Sequence, residues 1–167
     1  MVAMTHLLKR IQGMNRIEKV REVVDSVLLS MTDNDERRGA YIHLYGVAQA
    51  AALIAQKRKE NIELSIIAAM LHDIYSYKNM NSTDHAHKGA VMAKEILNEL
   101  KIFSCEEIDL IYSAIYHHSD KKIINESFDE ILKDADVMQH ILYNPLFEIK
   151  VHELERFYNL KNEFGMI

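Results

Sequence analysis

The chain has a single cysteine, Cys105, so no internal disulfide framework can form and a reducing cytoplasm is the expected compartment. One proline, Pro145, and five glycines give too little turn punctuation for a β-rich or doubly wound fold. Such a sequence favours helices joined by short polar loops. No apolar run reaches the roughly 20 residues of a membrane span, and the longest candidate is interrupted by His72 and Asp73. Met1 to Arg10 hold no apolar core followed by a small-residue cleavage site, so no secretory signal is expected. Positive charge is also in deficit. With 20 basic and 25 acidic residues the net charge is −5, which argues against wrapping duplex nucleic acid through phosphate contacts. A small anionic substrate stays compatible, because a metal ion and a few local cations outweigh a global sign.

Against these absences stand a hydrophobic fraction of 49% and a length of 167 residues, which fit one compact domain spanning residues 1–167. The periodicity predicts six to seven helices and no strand. Ile17, Val20, Val24, Val27 and Leu28 form a stripe on a helix from Arg16 to about Met31. Ala40, Leu44, Val47, Ala51 and Ile54 do the same on a helix from about Glu36 to Lys59, ended by the basic run Lys57-Arg58-Lys59. Asn61 is expected to cap a third helix running to about Tyr77, apolar nearly all round from Ile66 to Ile74 and therefore central. A fourth helix covers about His85 to Leu100, with Ala86, Ala90, Ala93, Leu97 and Leu100 facing inward. Ser104 with Glu107, and Ser127 with Glu130, have the spacing of capping boxes opening a fifth and a sixth helix. Pro145 suits the first turn of a last helix ending near Leu160. Its apolar positions Leu154, Phe157, Tyr158 and Leu160 would pack on the core or on a second copy of the chain.

Nine histidines are the compositional surplus. Imidazole is the commonest transition-metal ligand and a frequent acid–base group, so their placement matters. His43 lies beside the apolar face of the second helix. His72 and Asp73 interrupt the most apolar helix, where an unpartnered carboxylate would be costly; a buried Asp is paired or metal-bound. Asp136 follows Leu132 by one turn, near the buried side of its helix. Nitrogen and oxygen donors mixed in this way suit Mn, Fe, Co, Ni or Zn better than Mg.

In this order the residues resemble the HD-domain superfamily of metal-dependent phosphohydrolases, named for the ligand order H…HD…D. The likeness rests on His43 within Arg37-Arg38-Gly39-Ala40-Tyr41-Ile42-His43, on Ala68-Ala69-Met70-Leu71-His72-Asp73-Ile74, and on Leu132-Lys133-Asp134-Ala135-Asp136. It spans about residues 36–143. The resemblance implies an all-α bundle in which His43, His72, Asp73 and Asp136 hold a divalent metal. Asp136 is preferred to Asp134 as the second Asp of the Asp-Ala-Asp string. It further implies that His87, His117 and His118 join the pocket, either with a second ion bridged by Asp73 or as phosphate-binding side chains around a single ion. His140 would line the pocket, while His6 and His152 are expected at the surface and His85 merely opens a helix.

The implied activity is hydrolysis of a phosphate ester or phosphoanhydride in a small nucleotide-like substrate. Asp73 would serve as ligand and proton acceptor, His117 or His118 would protonate the leaving oxygen, and Lys78, Arg37 and Arg38 would hold phosphate charge. Two departures narrow the group. Ile74, Tyr75 and Ser76 follow the HD pair where some relatives carry Gly-Lys or a catalytic Glu. Ser119-Asp120-Lys121-Lys122 follow His118, which disfavours the cyclic dinucleotide phosphodiesterases. The same ligand set also serves two-iron oxygenases within the superfamily, and a non-catalytic signalling module on this fold is the third reading.

Overall fold

The computed structural model describes residues 15–165. His6 and the segment Met1 to Arg10 lie outside the described residues. Eight α-helical segments run in chain order: α1 Arg16–Leu29, α2 Asn34–Arg58, α3 Ile62–Leu71, α4 Ile74–Asn79, α5 His85–Leu100, α6 Cys105–His117, α7 Ser127–Tyr143 and α8 Leu154–Phe164. A 3-10 turn, Val151–Glu153, precedes α8. Because α3 and α4 are halves of one interrupted rod, the described residues form seven helical rods and no strand. The expected all-α bundle is what the structure shows. No helix among the described residues is long and apolar enough to cross a membrane.

Helix α3 lies at the centre. Ile67, Ala68, Met70 and Leu71 are buried on all its sides, and α1, α2, α6 and α7 pack around it. The stripes of α1 and α2 turn inward as their spacing predicts, with Val20, Val24, Leu28, Ala40, Leu44, Val47, Ala51 and Ile54 buried. Side-chain oxygens of Asn15, Asp33, Asn61 and Ser104 cap α1, α2, α3 and α6, satisfying amides that would otherwise be left unpaired at the helix starts. At Ser104 the full box is present, Glu107 returning a bond to the cap amide.

Three local expectations change. The third helix does not run through to Tyr77. It breaks at Asp73, whose φ of −109° and ψ of 11° lie in the bridge region rather than the helical one. The Ser127–Glu130 box does not form: Ser127 is already the first helical residue, and Glu130 instead accepts from the backbone amide of Asn125 at 3.0 Å. Pro145 falls in a turn after α7, and the last helix starts only at Leu154, past the 3-10 turn. That helix packs on its own core through buried Leu160 and partly buried Phe157, with Tyr158 exposed.

Buried charges weld the C-terminal third together. Arg156 of α8 pairs with Glu130 and Asp134, both at 2.7 Å, and its Nε donates to the carbonyl of Lys121 at 2.7 Å. Arg58 at the end of α2 meets Asp134 at 2.8 Å and Glu163 at 2.6 Å. Lys133, fully buried, donates to the Ile123 carbonyl and to Asn125 Oδ1 and pairs with Glu130. The loop between α6 and α7, which carries Lys121, is thereby held from both sides.

Candidate metal centre

The break between α3 and α4 places Asp73 where two sets of imidazoles converge. Its Oδ2 lies 3.5 Å from His43 Nε2 and 3.5 Å from His72 Nε2. Its Oδ1 lies 3.5 Å from His85 Nε2 and 3.5 Å from His118 Nε2. Asp136 Oδ1 completes the first group at 3.6 Å from His43 Nε2. Each oxygen of one carboxylate therefore faces its own pair of histidines.

Donation at Nδ1 fixes the tautomers. His72 donates to the Ala69 carbonyl at 2.7 Å, His118 to the Ile115 carbonyl at 2.6 Å, His85 to the Ser82 carbonyl at 3.0 Å, and His43 to Gln139 Oε1 at 3.1 Å. A carbonyl only accepts, so Nδ1 keeps its proton and each Nε2 turns a lone pair toward Asp73. The Nε2 atoms of His43 and His72 are only 3.2 Å apart. Two lone pairs at that distance repel unless a proton or a cation sits between them.

The carboxylates make the same demand. Asp73 Oδ1 and Asp136 Oδ1 are buried and have no hydrogen-bond partner. Unpartnered buried carboxylate oxygens are rare because their desolvation is uncompensated. Bonds of about 2.1 Å at tetrahedral angles put donors about 3.4 Å apart. The spacings from 3.2 to 3.6 Å suit a divalent ion among His43, His72 and Asp73, and His43 stands at the same spacing from Asp136. His85, His118 and Asp73 Oδ1 form a second group of three donors.

Burial and charge set the protonation states. His72 is fully buried, and desolvation pushes its pKa down to about 4, so it is neutral and ready to ligate at neutral pH. Desolvation also opposes the His43 imidazolium, but the hydrogen bond to Asp73 and the charge of Asp136 outweigh it and hold His43 above its ordinary value. Burial alone would raise Asp136. The ammonium of Lys121, 2.6 Å from Oδ2, and the surrounding imidazoles instead hold it far below the usual carboxylate range.

Below the pKa of His43 a metal ion must displace its Nε2 proton. Because the folded pKa of His43 is raised, the protonated fraction grows as pH falls through that value, and metal affinity should fall with it. Chelator competition between about pH 6 and 8 should show affinity rising by up to about tenfold per unit while one proton is displaced, then levelling. A pH-independent affinity would contradict this.

The positions expected from sequence divide. His43, His72, Asp73, Asp136 and His118 come together, whereas His87 and His117 do not. Two residues along a helix rotate a side chain by about 200°, so His85, not His87, faces Asp73. His87 is half exposed; it bonds Asp84 Oδ1 at 2.7 Å and stacks on Tyr116. His117, one residue from His118, turns to Asp129 Oδ2 at 2.9 Å. His118 has its Nε2 in the cluster, and His117 has its Nδ1 against Asp129. Asp134 is taken up by Arg58 and Arg156 and lies outside the cluster.

The cations expected near phosphate also lie apart. Arg37 donates to the Met31 carbonyl and to Asn34 Oδ1, and Arg38 is on an exposed face paired with Asp35. Lys78 is exposed, in a cleft of about 480 Å³ shared with Tyr75, Asp84, His87 and Lys88. His152 is exposed, as expected. Sequence reading missed Lys121 and passed over His85. The one signal for His85 was its place opening a helix: Asp84, in the left-handed region at φ 56°, turns the chain sharply there.

Two glycines make the approach possible. A Cβ on Gly89 of α5 would come 2.9 Å from the carbonyl oxygen of His72, and one on Gly46 would come 2.9 Å from Gln139 Cγ. Gln139 can swing aside, but the His72 backbone cannot without moving the cluster. Gly89→Ala should therefore cost about 1–3 kcal/mol in a urea titration and weaken metal binding. An unchanged midpoint would show that α5 shifts freely.

The chain is similar over 87% of its length to a crystallised predicted HD superfamily hydrolase from an uncultured Thermotogales bacterium, with 25% identity, a TM-score of 0.59 and 88% of that chain covered. No curated protein matches it. The family model of the HD domain matches residues 40–140, a stretch that begins three residues before His43 and ends four after Asp136. The chain belongs to the HD-domain family.

Proposed function

We propose that this chain is a metal-dependent phosphohydrolase that acts on a phosphate ester or phosphoanhydride of a small nucleotide-like substrate, using two divalent transition ions, Mn, Fe, Co, Ni or Zn. The observation that carries the reading is the division of Asp73: each of its oxygens faces a separate histidine pair at 3.5 Å. That is the donor arrangement of a carboxylate bridging two ions. Similarity to a predicted HD superfamily hydrolase supports hydrolysis as the chemistry. His43, His72, Asp73 and Asp136 would hold one ion, and Asp73, His85 and His118 the other.

Bound divalent metal supplies hydroxide near neutral pH and polarises a phosphoryl oxygen. The residues supply the rest. His72 and His118 form a dry floor, 0% and 2% exposed, while His85 and His140 at 28% and 34% mark the open rim. Asp73, one-fifth exposed, would face one ion with each oxygen, which leaves neither oxygen free to take a proton. The substrate's remainder would lie along the cleft past Lys78 and Lys88, whose ammonium groups offset its charge. Duplex nucleic acid and membranes are not part of this proposal.

The test is phosphate release over a panel of nucleoside mono-, di- and triphosphates and dinucleoside polyphosphates, each with Mn, Co, Ni and Mg. Release is expected with a transition ion and little with Mg. A protein that holds iron, consumes oxygen and releases no phosphate would overturn the proposal.

A further inference from the structure

We infer that His140 is a further protein ligand of the ion beside His43 and Asp136, held in place by Glu153 from the 3-10 turn before α8. The inference rests on the proposed metal centre and adds a donor to it. His140 follows Asp136 by four residues on α7, so the two side chains share one face. His140 Nε2 lies 3.5 Å from Asp136 Oδ1, and its ring stacks on His43 with centroids 5.6 Å apart. Donor atoms of His43, Asp136 and His140 all lie within 4.8 Å of one another, close enough for one ion to touch all three.

The surroundings single out this histidine. Lys121 occupies Asp136 Oδ2 at 2.6 Å, so the buried, unpartnered Oδ1 faces His43 and His140. On the far side of the ring, His140 Nδ1 is buried without a hydrogen bond and lies 3.5 Å from Glu153 Oε2. Glu153 is 4% exposed, and its other nitrogen neighbours, His152 at 3.6 Å and Lys150 at 3.8 Å, are on exposed side chains. A buried carboxylate behind an imidazole whose other nitrogen faces metal donors is the usual outer support of a ligating histidine. Ligation at Nε2 would favour Nδ1–H, and a small rotation would close the bond to Glu153.

Glu153 lies beyond residues 40–140, the stretch that the family model matches. The segment after α7 thus supplies the support, and α8, anchored by Arg156, holds it in place. An added nitrogen donor beside His43 and Asp136 would discriminate further against Mg.

The experiment is Co²⁺ binding to the purified full chain, followed by chelator competition and by the visible absorption of the bound ion, with thermal unfolding of the metal-free proteins as a check of folding. Wild type is compared with His140→Ala, Glu153→Gln and His72→Ala. His140→Ala should weaken the tighter site by more than a hundredfold and change its absorption band. Glu153→Gln, nearly isosteric, should weaken it about ten- to hundredfold. If His140→Ala and Glu153→Gln bind like wild type while His72→Ala loses the ion, the inference is overturned and the metal centre stands. If His72→Ala also binds like wild type, the metal centre itself is wrong.

Discussion

Asp73→Ala is expected to remove metal from both donor groups and to reduce hydrolysis by at least about a thousandfold. Among the described residues its two oxygens are the donors common to the two sets of imidazoles, each at 3.5 Å from two Nε2 atoms. Loss of an outer partner of a ligand costs about ten- to hundredfold in affinity, and loss of a shared ligand must cost more. In the metal-free protein burial opposes the Asp73 carboxylate, yet the imidazoles of His72, His118 and His43 hold it well below its ordinary value, so the variant should lose some stability as well as its metal. A variant that loses stability but keeps its metal would show Asp73 to be structural. That pattern would sink the bridging role.

Lys121→Met is expected to cost stability first of all. Lys121 is the buried cation against Asp136, at 2.6 Å, with side chains 4% and 11% exposed. Removing one partner of such a pair leaves a buried charge uncompensated and typically costs about 3–5 kcal/mol. The linkage sign agrees. Asp136 has a depressed pKa, so its contribution is present above the ordinary carboxylate value and is lost as pH falls through the folded one. Without Lys121 that contribution shrinks across neutral pH. A divalent ion at Asp136 supplies positive charge from the other side, so adding Mn²⁺ or Zn²⁺ should restore part of the loss. Urea titrations with and without metal measure both. A cost below about 1 kcal/mol, or no rescue, would contradict the picture of Lys121 as a counter-charge.

Much of this was legible from residue order, because burial follows period. The stripes of α1, α2 and α5, the caps at Asn61 and Ser104, and the motif order from His43 to Asp136 needed no coordinates. What was not legible depends on angles that sequence spacing leaves free. The apolar run through Ile74 reads as one helix, yet it breaks at Asp73, where the backbone leaves helical values and turns the carboxylate between the histidines. The choice of His85 over His87 turns on the phase of α5, set by a left-handed Asp84 and by close packing at Gly89 against His72. Lys121 sits in a loop with no periodicity, and only the contacts of Arg156 with its carbonyl bring it to Asp136. His140 was visible as a neighbour of Asp136, but Glu153 behind it belongs to a turn that Pro145 had seemed to assign to a helix.

The most direct test of the metal centre is elemental analysis of the purified chain beside His72→Ala and His118→Ala. The account predicts about two transition-metal ions per wild-type chain, about one in His118→Ala with the first group intact, and a loss from the first group in His72→Ala. A wild-type protein that stays metal-free when offered Mn, Fe, Co, Ni and Zn, or variants that match its metal content, would contradict it.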